Sequence, residues 1–375
     1  MRFVLYTHSL VSDGNHGNAH FLRGILRELQ ARGHDTVSFE PEDSWSRNNL
    51  IAAHGVAALE GFHHDFPELT TRTYGERFDH SDAVSDADVV LVHEWTDPQL
   101  IARLGRIRRD GGRFALLFHD THHRAASDEA SIADLALQEY DAVLAFGEVL
   151  RQRYLKRGWG RQVFTWHEAA DTRLFFPRIA DSDPLDLVWI GNWGDGERAQ
   201  ELEEFLIEPA RRLQLTGTVR GVRYPDSALA TLRRTSLEYS GWIANANVPD
   251  AFARHLMTVH VPRRPYAVTL PGIPTIRVFE ALACGIPLVC APWRDEEALF
   301  RSGDFLTARN ADAMTAQLEL LLRDRDFARS LAASGLETIR QRHTCAHRVD
   351  ELLTIISACR TTSVTQPTPP REAAE

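Results

Sequence analysis

The amino-acid sequence predicts an α/β protein built as two Rossmann-like, doubly wound domains facing a central cleft. Three observations predict it. The chain has 375 residues, more than one hydrophobic core usually organises. Short apolar runs alternate with amphipathic stretches of helical period, the pattern of a parallel sheet wrapped by helices. A polar, proline-containing interruption, HEAADTRLFFPRIADSDP (167–184), separates two such series.

In the first series RFVLYT, TVSFE, ADVVLVHE, RFALLFHD, DAVLAFG and QVFTWHE read as strands. Between the first two, Phe21, Leu22, Ile25, Leu26 and Leu29 fall on one helical face. The second series has strands in LDLVWIGNW, GTVRGV, TSLEYSGWI, TVHVP, IPLVCAPW and DFLTAR. Its helices are predicted over 197–213, 225–234, 274–283, 312–323 and 326–341. The expected division is a first domain 1–168, a linker 169–184, a second domain 185–346, a C-terminal helix 347–360 and a disordered tail 361–375.

Composition bounds the partners. At 43% hydrophobic and 25% charged, the chain is that of a water-soluble globular protein, with no apolar run long enough for a transmembrane segment. The balance of 42 basic and 52 acidic residues, a net charge of -10, predicts no nucleic acid and no anionic membrane surface as partner. Four cysteines without a CxxC pair point to neither a zinc site nor a disulfide framework. The start MRFVLYTHSLVSDG lacks a signal-peptide core, so a cytoplasmic location is expected.

One stretch concentrates the chemistry: LPGIPTIRVFEALACGIPLVCAPW, Leu270 to Trp293. Pro274 suits a first helical turn and Gly285 a C-terminal cap. Val278, Phe279 and Leu282 form an apolar face, while Arg277 and Glu280, three apart, share another with Ala281 and Cys284. That stripe is either a surface ion pair of little energetic value or a ligand-facing strip. In the second case, the loop Pro271–Gly272–Ile273 offers free N–H groups to a phosphate at the positive end of the helix dipole. Glu280, further in, would accept hydrogen bonds from ribose hydroxyls.

GIPTIRVFEALACGIPLVCAPW resembles the donor-site signature of GT-B glycosyltransferases, in which a Gly-rich loop, a helix-borne Glu and a closing small-Cys-Gly turn bind a nucleotide-sugar. SDGNHGNAHFLRGI, VHEWTDPQL, FHDTHHR and RVFEALACG most resemble the spore-maturation-protein-type (CgeB-like) branch, over Met1 to about Arg360, and HEAADTRLFFP resembles the interdomain linker. The resemblance implies a metal-independent glycosyltransferase that moves a sugar from a nucleotide diphosphate sugar to an acceptor (glycan, small molecule, lipid or protein), with retention of configuration and no cofactor. Donor is expected against the second domain and acceptor against the first. Of the family's E-x7-E pair, Glu280 matches the second member, and Gly272 stands where the first would be.

The resemblance also assigns roles. Gly272, Ile273, Pro274, Thr275, Arg277 and Glu280 would bind the donor. In the first domain Gly14, Asn15, His16, Gly17 and Asn18 would form the cleft loop, although a tight turn capped by Asp13 or Asn15 explains the same residues. His119, after a strongly apolar run, would contact the sugar, and Asp120 would be the base if the reaction inverts. His119, Asp120, His122 and His123 lack HExxH spacing, and none of the three DxD matches ends a strand, so no metal is expected. The diphosphate must then be neutralised by basic side chains. The candidates are Arg198 in GNWGDGER, Arg263, Arg264 and Arg277, each equally readable as a solvated arginine. Tyr224 would stack on the base or pack in a turn. His93 and Glu94 line the same edge or simply turn the chain over Trp95. Two other readings keep the fold: a nucleotide-sugar epimerase, or a non-catalytic nucleotide- or sugar-binding protein.

Overall fold

Alternation of buried strands and amphipathic helices produces two all-parallel sheets in the computed structural model, which describes residues 1–13, 17–194 and 196–364, the side chains of 362–364 excepted. In the first half β1 (Arg2–Tyr6), β2 (Asp35–Pro41), β3 (Thr71–Tyr74), β4 (Val89–His93), β5 (Ala115–Asp120), β6 (Ala142–Ala145) and β7 (Val163–Thr165) form a sheet ordered β3-β2-β1-β4-β5-β6-β7. In the second half β8 (Leu185–Ile190), β9 (Gly217–Arg220), β10 (Leu237–Tyr239), β11 (His255–His260), β12 (Leu288–Cys290) and β13 (Leu306–Thr307) are ordered β10-β9-β8-β11-β12-β13. Central strands such as VVLVH of β4 are buried along their whole length, as expected of a parallel sheet covered on both faces. The reversal of strand order lies between β1 and β4 in one sheet and between β8 and β11 in the other, and ligands bind at the carboxyl ends of strands at such points.

Two elements depart from the sequence expectation. β3, TRTY, is an edge strand with no buried residue, so no apolar run marks it. The helix expected over 197–213 runs as Ala199–Leu202, a wide π-turn Glu203–Ile207, and Glu208–Leu213. Pro209 lacks an N–H and crowds the preceding turn, which the wider turn relieves.

The C-terminal helix runs Cys345–Val364 and crosses back to pack against the first domain's helix Ala19–Ala31. Gly24 permits the close approach, since a Cβ there would lie 2.5 Å from Cys345 Sγ. Trp166 Nε1 donates to the Arg348 carbonyl at 2.8 Å, tying the same helix to the end of the first sheet. One hydrophobic cluster accordingly runs from Phe21 and Trp166 through Phe279 and Leu282 to Leu352 and Ile356, joining both halves. All four cysteines are buried. Among the described residues no helix is long and apolar enough to cross a membrane.

Candidate functional site

The carboxyl ends of the two sheets face each other across a cavity of about 460 Å³. The first half contributes His8, Asp13, Gly17, Asn18, Trp45, Trp95, Thr121, His122 and Phe146, and the second Gly191, Asn192, Arg198, Arg223, Arg263, Tyr266, Thr275, Ile276 and Arg277. Glu168 enters between them.

Four arginines line the cavity: Arg198, Arg223, Arg263 and Arg277. The half-buried Arg198 guanidinium donates to the carbonyls of Val261 (3.1 Å) and Asn192 (2.6 Å) and lies over the Trp189 ring. Burial, then repulsion from Arg263, pushes its pKa down to about 10. A partly buried cation whose hydrogen bonds go to carbonyls is one an anionic ligand would stabilise. Arg263 pairs with Glu197 at 2.9 Å and Arg277 with Glu280. Arg264 instead makes a surface pair with Glu201, outside the cavity, and is a solvated arginine.

The helix Ile276–Ala283 points its N-terminus at this cluster. Thr275 precedes it without capping it, its hydroxyl paired with His260 Nε2 at 3.0 Å. The Glu168 carboxyl lies beside Ile276 at the cavity wall. Glu168 is 5% exposed. Burial, reinforced by the nearby Glu280, pushes its pKa well above the carboxylate range, against the Ile276 N–H and Arg277.

Glu280 is not the open ligand-facing group expected. Its side chain is fully buried, and it accepts from Asn245 Nδ2 at 3.0 Å, from Arg277, and from His20 Nδ1 at 2.9 Å. His20 Nε2 accepts the Asp171 N–H at 2.9 Å, so the proton of a neutral His20 sits on Nδ1 and is donated to Glu280. Burial alone would raise the Glu280 pKa, but Arg277, His20 and Asn245 together lower it. The charged stripe on this helix faces the other domain. Small neighbours and a charged pair are equally suited to a ligand and to a domain contact, and the sequence does not separate the two.

The preceding loop is also a clasp. Gly272 has φ +95, and its N–H donates to the Arg294 carbonyl at 2.7 Å, so that group is not free for phosphate. Ile273 belongs to a cluster made mainly of first-domain residues. It seats against Gly147, where a Cβ would lie 2.4 Å from Ile273 Cγ1. Pro274 is buried beside it. Glu297 bridges the same contact, accepting from the Glu148 N–H at 2.9 Å and pairing with His167 at 2.7 Å. Thr275 and Arg277 do line the cavity.

In the first domain Gly17 and Asn18 line the cavity, and the buried Asn18 Oδ1 has no partner among the described residues. Gly14, Asn15 and His16 lie outside the described residues. Asp13 pairs with Arg23 at 2.9 Å and accepts from Trp242 Nε1 and the Asn245 N–H across the cleft. His119 and Asp120 are placed differently from expectation. β5 continues through Asp120, so His119 lies within the strand, fully buried between Phe21 and Trp166, its pKa pushed down to about 3 by burial. Asp120 accepts from Tyr154 Oη at 2.8 Å and from the His122 N–H at 3.0 Å, and neither residue lines the cavity. Thr121 and His122, just beyond the strand, occupy that position.

Glu94 is buried under the same loop, accepting from Thr121 and Arg124, and its pKa is raised well above the carboxylate range by burial and by Asp120. His93 is buried beside it. Trp95 is not packed beneath them but stands at the cavity wall, 37% exposed, with Arg124 over its ring at 4.1 Å. Tyr224 turns inward, donating to the Gly191 carbonyl and accepting from Trp189 Nε1, both at 2.8 Å; the wall at this point is Arg223. Sequence reasoning missed Glu168, Asn192, Trp45 and the cavity-facing part of Trp95. The available signal for Glu168 was its place just after the last strand of the first sheet, a carboxyl edge.

Residues 198–354 match the family model described as Glycosyl transferase-like. No curated protein matches the sequence. Among solved structures, Anabaena Alr3699/HepE in complex with UDP and glucose superposes with a TM-score of 0.68 at 14% identity, covering 96% of this chain and 100% of that one. Sucrose-phosphate synthase from Thermosynechococcus elongatus gives 0.65 at 13% identity, covering 96% and 99%. An alpha-glucosyltransferase in complex with UDP and a 13-mer DNA gives 0.69 at 11% identity, covering 95% and 99%.

The chain has the GT-B fold. The cavity lies between the two Rossmann-like halves of that GT-B fold, at the strand-order reversals of both sheets.

Proposed function

We propose that this GT-B protein is a metal-independent, retaining glycosyltransferase using a nucleoside diphosphate sugar, of the spore-maturation-protein-type (CgeB-like) branch. The observation that carries the reading is the convergence of Arg198, Arg263 and Arg277 with the N-terminus of helix Ile276–Ala283 in one interdomain cavity. Cations and a helix N-terminus are what a diphosphate leaving group requires. UDP is the first nucleotide to test, because two of the three fold relatives above are complexed with it.

In this reading the diphosphate lies between Arg198, Arg263 and Arg277, and the sugar reaches toward Asn18, Thr121 and His122. The bond from C1 to the phosphate oxygen breaks while the acceptor oxygen bonds C1 on the same face, and the acceptor proton passes to the departing diphosphate oxygen. Retention is supported by the position of Asp120, whose two oxygens are bonded to Tyr154 and the His122 N–H away from the cavity. Glu168, its pKa raised by burial, borders the same cavity. A DNA acceptor stays within the fold's range, since the alpha-glucosyltransferase relative is complexed with DNA; the net charge of -10 does not by itself remove it.

The test is a thermal-shift panel of UDP, GDP and ADP, followed by turnover of the matching nucleotide-sugar with the product anomer read by NMR. One diphosphate is expected to stabilise the protein, and its sugar to be released or transferred with retention. An epimerised sugar would move the assignment to the epimerase reading. Tight binding without turnover over a broad acceptor panel would reduce the protein to a binding module.

A further inference from the structure

A second and larger cavity, about 1240 Å³, opens on the first domain beside the cleft. Its walls are the segments that follow β2, β3 and β4, at the same carboxyl edge as the cleft. The two cavities share His8, Trp45 and Trp95, so a molecule lying in the groove reaches the cleft across three aromatic rings.

Trp45 and Trp95 are 43% and 37% exposed, whereas Trp166, Trp189 and Trp293 are buried. Each exposed ring is held from one side by a protein group. Trp45 stacks on His8 with centroids 5.2 Å apart and planes 9° off parallel, and the Arg124 guanidinium lies 4.1 Å from the Trp95 centroid. Large, rigid indoles fixed in this way offer apolar platforms at small entropic cost. The rest of the groove is lined by the carboxylates of Glu42, Asp43, Glu76 and Asp97 and by the guanidiniums of Arg77, Arg103 and Arg106.

We infer that this groove is the acceptor site and that its occupant is an oligosaccharide. The inference rests on the transferase reading and names the acceptor class. A sugar ring has an apolar C–H face that lies on an indole and a rim of hydroxyls that both donate and accept, so it matches platforms flanked by both signs of charge. A polyanionic nucleic-acid backbone would face four carboxylates against three arginines, with no excess of positive charge to hold it. The groove exceeds the roughly 300–1,000 Å³ of ordinary small-molecule sites, which leaves room for more than one sugar ring.

The experiment uses the full chain on a printed array of gluco-, manno-, galacto- and N-acetylhexosamine oligosaccharides, with a 13-mer duplex DNA as competing probe and a UDP thermal shift measured on the same preparation. Retention of at least one oligosaccharide class is expected, weakened about tenfold by Trp45→Ala or Trp95→Ala and partly restored in Trp95→Phe. No retention across the array, retention of DNA instead, or equal binding by the alanine variants would overturn the inference. The two readings fail separately. Oligosaccharide binding without a UDP shift removes the donor assignment and leaves the groove, whereas a UDP shift without oligosaccharide binding removes the groove alone.

Discussion

Glu280 and Glu168 meet the same helix, and their surroundings are opposite. Glu280, in the middle of Ile276–Ala283, is fully buried and satisfied by His20, Asn245 and Arg277, and its pKa is lowered. Glu168 comes from the end of the first sheet, lies beside Ile276, borders the cavity and has its pKa raised. The mid-helix carboxylate holds the domains together, while the one at the helix start faces the space where a ligand would sit. The difference shows that a charged residue in a site signature can be spent on the domain contact, with reactive character appearing on a residue outside the signature.

The largest expected effect breaks the Glu280 side. Glu280→Ala leaves His20, Asn245 and Arg277 unpaired in the interface and should lower unfolding free energy in urea by about 3–5 kcal/mol; an open ligand strip would have given almost none. Next, Arg198→Ala should weaken nucleoside diphosphate binding by about 1.5–3 kcal/mol, roughly tenfold to a hundredfold, in titration calorimetry. Gly272→Glu, which writes the first Glu of the family pair into the sequence, should cost about 1–2 kcal/mol in the same urea assay and add no activity. Its φ of +95 is unfavourable for any side chain, and Glu297 Cγ lies 3.4 Å from where the new Cβ would go.

The smallest effect sharpens the Glu168 side. A carboxyl whose folded pKa is raised favours folding below its unfolded pKa and loses that contribution as pH rises toward the folded one. Glu168→Gln is neutral throughout. The variant should therefore gain on wild type in Tm as pH rises from about 5 upward. A constant difference across that range would place Glu168 in a wetter setting than its burial indicates.

Both sheets and the helix Ile276–Ala283 were legible because apolar period and Pro and Gly punctuation are local properties. β3 was not, since an exposed edge strand has no apolar signature. The cavity-lining roles of Gly17, Asn18, Thr275 and Arg277 could be placed from strand-end and helix-start positions. The burial of Glu280 and Ile273 could not, because each is decided by what the other domain presents: His20 in one case, Gly147 in the other. His119 was misplaced by the length of β5, which carries it into the core and leaves Thr121 and His122 at the edge.

The central claim is that a nucleoside diphosphate is held by Arg198, Arg263 and Arg277 at the start of Ile276–Ala283. Calorimetric titration of UDP into wild type and Arg198→Ala, with folding of both checked by circular dichroism, tests it most directly. Saturable binding to wild type, weakened at least about tenfold in the variant, is the predicted result. Equal affinity in the two folded proteins would contradict it.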